Sequence, residues 1–477
     1  MAVRPRSGWL FPPHSVASFV LPTTVSNRPS KSQSPIPSFQ KVQSRSFAQR
    51  TRCIHECSQD RGLRMRRTIP RDQRRYAHDT SPQIPNILVN DMGNQEVLVD
   101  FHDGHAARYP SFWLRDHCPC SECTHPQTKQ RQVNTFNLDP SIKATSADAT
   151  LPGLEVTWSE SSHKSLFPWS WLRTHSPFPN PKAPTKRKWI QVVPCSDSST
   201  YPTVSFDGVM STTTGLHTFL SQICHSGLAF IDSVPPTPTA TQSLLERIAF
   251  IRHTHYGGFW DFTSEAKPID TAYTNLALPA HTDNTYFTDP CGLQLFHCLG
   301  HTSSTSDALP GSGGESTFVD GFAAATHLYS LSREYYNTLS TIRVVSHASG
   351  LESIGSITNQ SLHPGFPVIT HALATSAPHP SNITQIRWNN DDRSPLTTFP
   401  SHQSMKLWYA AARTWTEILR KPEFEIKLKL KPGTPVIFNN WRILHGREAF
   451  EGKRRICGGY IGMDDFLGRC RSVGVEL

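Results

Sequence analysis

The strongest periodicities lie toward the C-terminus. Phe424-Glu-Ile-Lys-Leu-Lys-Leu-Lys431 alternates apolar and charged residues without a break. Side chains two apart share a face of a pleated strand, so this segment is predicted to be a strand with one dry and one wet face. Pro432-Gly433 supplies turn chemistry, and Val436 to Phe438 reads as a second strand. The pattern therefore predicts a hairpin that presents Asn440 to His445 from a rigid β element. Gly292 to Leu299 is an apolar run of strand length, as expected of a buried strand, and Leu154 to Trp158 is a shorter one. Helical spacing occurs at Thr241 to Phe250, after a Pro/Thr-rich start, and at Ser404 to Arg420. Many strands with a few helices predict a mainly β fold with flanking helices, of the double-stranded β-helix (jelly-roll) type. No internal repeat is visible.

Composition divides the chain. Its 477 residues exceed one ordinary domain, and 38 of them are Pro. The first 80 residues carry 15 Lys/Arg against 4 Asp/Glu, leaving 32 against 34 for the rest, so the net charge of +9 belongs to the N-terminus. A folded body near neutrality argues against nucleic-acid binding, which needs a basic folded surface. The first 55 residues lack Asp and Glu and are rich in Arg, Ser and Pro. That composition predicts a mitochondrial transit peptide and a matrix location, with 1–85 as targeting segment and linker. No uncharged apolar run approaches the roughly 20 residues of a membrane span; Leu10 to Leu21 is broken by Pro12 and Pro13. A small N-terminal domain is expected over 86–185 and the main domain over 186–477. The Pro/Lys/Ser-rich stretch Ser176 to Ser199 reads as boundary or insertion, and Ser303 to Gly313 as a surface loop.

Candidate chemistry concentrates at a few positions. His281 and Asp283 lie two apart, so on extended backbone both point to one side and can reach one metal. A distant imidazole would complete a facial triad, which leaves three open positions on octahedral iron, and His445 is the best candidate. An HxD pair alone decides little in a chain with 23 His. Arg454 or Arg455, nine and ten residues after His445, offers a guanidinium for a carboxylate ligand. Only one of two neighbours on a strand can face the pocket. Cys118, Cys120 and Cys123 place three thiolates in six residues, and with a later His they suit a structural Cys3His zinc site, though more tightly spaced than C-x2-C.

The segments AYTNLALPAHTDNTYFTDPCGLQLFHCL, FNNWRILHGREAFEGKRRICGGY and GGESTFVDGF resemble the taurine-dioxygenase-like Fe(II)/2-oxoglutarate oxygenases, in the branch of γ-butyrobetaine and trimethyllysine dioxygenases. The resemblance spans roughly residues 88 to 470. It implies Fe(II) on His281, Asp283 and His445, and 2-oxoglutarate on Ser316 and on Arg454, the Arg four residues before the Gly of G-x-Y. It implies ascorbate as reductant and, from its relatives, a homodimer. Tyr256, Trp260 and Tyr273 match the branch's cage for a quaternary ammonium. Such a head has no N–H and is held by aromatic faces at roughly 0.5–2 kcal/mol per contact. Asp270 in IDTAYT suits an α-ammonium, and Asn390 in RWNNDDR an α-carboxylate. Together they imply 3-hydroxylation of N6,N6,N6-trimethyllysine, the opening step of carnitine biosynthesis, with O2 as co-substrate. γ-Butyrobetaine is the alternative substrate, and an inactive zinc-stabilised binding module the alternative of another class. For zinc, the resemblance points to His163 as fourth ligand, with one extra residue after Trp158; His117 and His125 lie nearer in sequence, and His125 is the alternative.

Overall fold

The computed structural model describes residues 85–90, 96–101, 105–160, 162–178, 201–264, 274–306, 308–348, 359–372, 378–397 and 399–477. The expected transit segment and the 185/186 boundary lie outside them, and so do Asp270 and Tyr273. All the described residues belong to one compact unit.

Its centre is a pair of sheets. One has six strands in the order Thr203–Ser205, Leu228–Asp232, Val436–Asn439, Leu293–Thr302, Lys453–Ile461, Trp260–Thr263. Only its first pair is parallel. The other has four antiparallel strands, Leu278–His281, Ile443–Arg447, Ser316–Asp320 and Glu425–Leu428. Their facing sides share one apolar cluster in which Phe318, Ile426 and Ile443 of the small sheet meet Phe230, Val436, Phe438 and Ile456 of the large one. This is the expected jelly-roll arrangement.

Leu293–Thr302 lies mid-sheet, and the outer side of its sheet is covered by three helices, Thr213–Ser226, Pro238–Ile248 and Met463–Ser472. Burial on both faces is why its sequence is a continuous apolar run rather than an alternation. Pro238–Ile248 begins with Thr237 accepting from the Ala240 N–H and Pro at the first turn, the start signal read from the sequence. His402–Leu419 packs with Gly321–Leu331 and Arg333–Thr341 behind the small sheet, through Trp408, Ala411 and Trp415.

The expected hairpin around Pro432-Gly433 is not formed. Lys431 and Thr434 do close a turn with Gly433 at φ +87°. But Glu425–Leu428 pairs with Ser316–Asp320 in the small sheet, whereas Val436–Asn439 pairs in the large one. The turn carries the chain across the sandwich. Alternation fixes which face of a strand is dry, not which strand lies beside it, and two facing sheets offer the same core to either choice. The chain then crosses back, so that Ile443–Arg447 lies between Leu278–His281 and Ser316–Asp320.

The N-terminal portion contains two three-stranded sheets, Asn86–Asn90 with Glu96–Asp100 and Ala106–Pro110, and Ala144–Ala149 with Gly153–Trp158 and Lys164–Pro168. It has its own core of Val97, Tyr109, Leu114, Val156, Trp158 and Phe167.

Candidate active site

Strand pairing sets His281 directly opposite His445. Asp283 follows on the loop after His281, and its Oδ1 lies 3.2 Å from His281 Nε2 and 3.6 Å from His445 Nε2. The three ligand atoms fall within 4.8 Å of one another. His281 Nδ1 lies 2.8 Å from the Pro279 carbonyl, an N–H donation that leaves Nε2 as the free lone pair. Burial works to lower the His281 pKa, but the hydrogen bond and charge of Asp283 outweigh it and raise it to about 9. Burial likewise favours a neutral Asp283; the charge and hydrogen bond of His281, with the Tyr460 hydrogen bond, prevail and hold it well below the usual carboxylate range. Burial pushes His445 down to about 3, so its ring is neutral. On binding a metal His281 gives up that proton, and two neutral nitrogens with one anionic oxygen, held by two paired strands and the loop after one of them, are a donor set that fits Fe(II).

The second oxygen of Asp283 is occupied. Tyr460 O–H and Gln294 Nε2 each donate to Oδ2 at 2.8 Å. Buried Asn440 accepts from the Asp283 N–H at 2.8 Å and donates to the carbonyls of Asp283 and Cys291. Tyr460 and Gln294 thus fix the carboxylate and Asn440 the backbone that carries it, and none of the three was assigned a role from the sequence. All three sat within segments already noted, Tyr460 in G-x-Y, Gln294 in the buried strand and Asn440 at the start of the segment ending in His445, but nothing in their spacing indicates the contact.

Arg454 and Arg455 separate cleanly. Arg454 is buried, with Nη2 3.4 Å from Ser316 Oγ on the neighbouring sheet. Arg455 turns outward into a bidentate pair with Asp261 at 2.9 and 2.6 Å. Arg454 and Ser316 line the same cavity as the triad, about 150 Å³ in volume. Tyr256 and Trp260 line it too. Trp260 packs on Phe296 at 5.6 Å and on Tyr460 at 6.1 Å, and its ring lies over Gly458, where an added Cβ would come within 2.5 Å of it. Asn390 is not brought there. It is exposed, 3.4 Å from Arg393 Nε, while Asn389, Asp391 and Asp392 line the cavity. The turn directs the Asn390 side chain outward between cavity-lining neighbours, which one-dimensional spacing does not reveal.

At the other cluster, Nε2 of His163 lies 3.3, 3.6 and 3.5 Å from the sulfurs of Cys118, Cys120 and Cys123. The Trp158 N–H donates to the His163 carbonyl at 2.9 Å, just before the strand Lys164–Pro168. His125 instead accepts from the Gln127 and Thr128 amides, and His117 Nδ1 lies 2.7 Å from the Trp113 carbonyl. Arg115 donates to Cys123 Sγ at 3.2 Å.

Residues 195–460 match the family described as taurine catabolism dioxygenase TauD, TfdA, and residues 88–173 match the N-terminal region of γ-butyrobetaine hydroxylase-like proteins. Trimethyllysine dioxygenase of Neurospora crassa is 42% identical, over 76% of this chain and 80% of that protein. The mitochondrial trimethyllysine dioxygenase of Homo sapiens is 37% identical, over 77% and 83%. The chain belongs to the TauD/TfdA dioxygenases, in the trimethyllysine dioxygenase group. A γ-butyrobetaine dioxygenase of Pseudomonas sp. is more distant, at 29% identity over 78% of this chain and 92% of that protein. As a TauD/TfdA dioxygenase the protein is an oxidoreductase that uses iron and 2-oxoglutarate. Among the described residues, no helix is long and apolar enough to cross a membrane.

Proposed function

We propose that the protein hydroxylates C3 of N6,N6,N6-trimethyllysine, the opening step of carnitine biosynthesis. The observation that carries this reading is the single cavity in which the triad, Arg454 and the rings of Tyr256 and Trp260 meet. His281, Asp283 and His445 would hold Fe(II). Arg454, flanked by Ser316, would take the distal carboxylate of 2-oxoglutarate as a charge-assisted pair. Bound there with O2, the iron and 2-oxoglutarate supply the oxidant that hydroxylates an unactivated C–H bond, with succinate and CO2 released and ascorbate keeping the iron reduced.

The remaining residues position and shield. Tyr460 and Gln294 keep one Asp283 oxygen turned from the metal. Phe262, Phe296 and Ile456 line the cavity with apolar surface and exclude water. Tyr256 and Trp260, with Tyr273, take the trimethylammonium head, and Asp270 takes the α-ammonium; the latter two lie outside the described residues. Succinate formation in the presence of iron, measured with trimethyllysine and γ-butyrobetaine side by side, tests the proposal. Turnover of γ-butyrobetaine alone, or of neither, defeats it. Replacing Asp270 by Asn is expected to weaken trimethyllysine selectively.

Cys118, Cys120, Cys123 and His163 are proposed to hold one structural zinc in an N-terminal domain over 86–185. Their convergence on one point supports this, and Arg115 would offset part of the thiolate charge. Metal analysis of purified protein should give one zinc per chain, retained in His125→Ala and lost in His163→Ala. The first 55 residues, acid-free and Arg-rich, and the mitochondrial relatives support import into the matrix, with residues 1–85 as targeting segment and linker, and a homodimer is proposed from the family resemblance. Cell fractionation and N-terminal sequencing of the mature protein test the first, and light scattering the second.

A further inference from the structure

The loop after Asp283 is pinned along its length. The Phe287 N–H donates to the Asn284 carbonyl at 2.9 Å, closing a turn in which Asn284 takes φ +58°, a value that Asn tolerates. Arg387 donates to the carbonyls of Phe287 at 2.7 Å and Thr288 at 2.9 Å, and its guanidinium lies 3.8 Å from the centre of the Phe366 ring. The loop thereby sets Asn284 and Tyr286, 2% and 4% exposed, in the wall of the cavity that holds the triad. Neither has a part in the functional reading above.

The Tyr286 hydroxyl is the meeting point of three side chains. Asn284 Nδ2 donates to Tyr286 Oη at 3.4 Å, and the Tyr256 O–H donates to the same oxygen. These two donors use both lone pairs of a phenolic oxygen. Its one proton, which burial retains by pushing the pKa up, goes to His255 Nε2 at 3.3 Å. His255 in turn packs on the Tyr256 ring, with centroids 4.0 Å apart. The Tyr256 N–H donates to Thr254 Oγ1 at 3.2 Å. Tyr256 is thus held by its backbone, by a neighbouring ring and, through its hydroxyl, by the loop that carries Asp283.

We infer that Tyr286 is a positioning residue for the quaternary ammonium head: it takes the Tyr256 hydroxyl proton and fixes that ring in the cavity wall, at a set place relative to the metal loop. This rests on the trimethyllysine reading above and deepens it. A trimethylammonium head has no use for a hydroxyl, so committing the Tyr256 O–H to Tyr286 leaves the ring as the surface offered to substrate. A phenol that donates its proton is also richer in ring electron density, which strengthens the attraction of its face for a cation. Because one loop carries both Asp283 and Tyr286, the head and the metal ligand are placed by the same backbone, and an anchored head sets which carbon of the chain faces the metal.

The test uses full-length protein loaded with Mn(II) and 2-oxoglutarate, so that binding is read by calorimetry without turnover. The probes are trimethyllysine and its uncharged carbon isostere, 2-amino-7,7-dimethyloctanoate. Wild type should prefer the cation by about tenfold or more. Tyr286→Phe keeps the ring that packs 5.1 Å from Phe287 and removes only the hydroxyl. It should weaken trimethyllysine about three- to tenfold, the effect of one neutral hydrogen bond, and the isostere less than twofold. Tyr256→Phe should lose a similar part of the preference, and adding Tyr286→Phe to it should change binding less than twofold further, because the second residue acts through the first. With Fe(II), Tyr286→Phe should raise the KM for trimethyllysine and leave kcat within twofold. Equal weakening of both probes, an additive pair of variants, or a fall in kcat at unchanged KM overturns the positioning role and leaves the functional reading standing. If the binding results are as expected but trimethyllysine is not hydroxylated by wild type, the functional reading fails and the positioning role stands. A wild type with no preference for the cation overturns both.

Discussion

Replacing Tyr460 by Phe removes one oxygen and keeps the ring that packs 6.1 Å from Trp260. What is lost is a charge-assisted hydrogen bond of 2.8 Å to Asp283 Oδ2. Such bonds contribute about 1.5–3 kcal/mol. At about 1.4 kcal/mol per tenfold, the expected cost in metal affinity is roughly 10- to 100-fold, the range found for groups that orient metal ligands. Oδ2 retains Gln294 in this variant. Removing both donors, in Tyr460→Phe/Gln294→Leu, strands a buried carboxylate oxygen, so the double variant should lose more than the two single losses combined. Anaerobic titration with Fe(II) or Mn(II) measures the affinities. Turnover at saturating iron should fall much less than affinity, because the ligands themselves remain. The reasoning is refuted if Tyr460→Phe binds metal within twofold of wild type, or if the double variant shows simple additivity.

Three further outcomes follow from the geometry. Arg454→Met should raise the KM for 2-oxoglutarate more than about tenfold, whereas Arg455→Met, which breaks only the exposed pair with Asp261, should change it less than about twofold and cost about 1 kcal/mol of stability or less; steady-state kinetics and urea unfolding separate them. Arg442→Met should destabilise the fold by about 3–5 kcal/mol in urea unfolding, because it leaves Asp320, otherwise paired at 2.7 Å with both side chains nearly fully buried, as a lone charge. His297 is fully buried between Thr241 and the Gly433 amide, and burial lowers its pKa to about 4. The unfolded chain takes up this proton near pH 6.5, before the folded one does. The stabilisation is therefore complete above pH 6.5 and lost as pH falls toward 4, by roughly 3 kcal/mol at most. Urea unfolding of metal-free protein at pH 7 and 4.5 should show a smaller acid loss in His297→Gln.

The sequence alone determined much of this protein. His281, Asp283 and His445 were legible because a facial triad needs two ligands at strand spacing and a third on another strand, and the structure sets His281 opposite His445. The jelly roll was legible as many short strands with few helices. The segment Glu425–Leu428 was legible as a strand but not its neighbour, because an alternating pattern satisfies either of two facing sheets; only the remote strand Ser316–Asp320 settled it. The same holds around the metal. Tyr460, Gln294 and Asn440 lie 177, 11 and 157 positions from Asp283 and have no reason in sequence to meet it. The adjacent pairs show the limit most directly. Arg454 and Arg455, or Asn389 and Asn390, are chemically alike. Which member faces the cavity depends on the direction of each Cβ, fixed when strands pair and turns close.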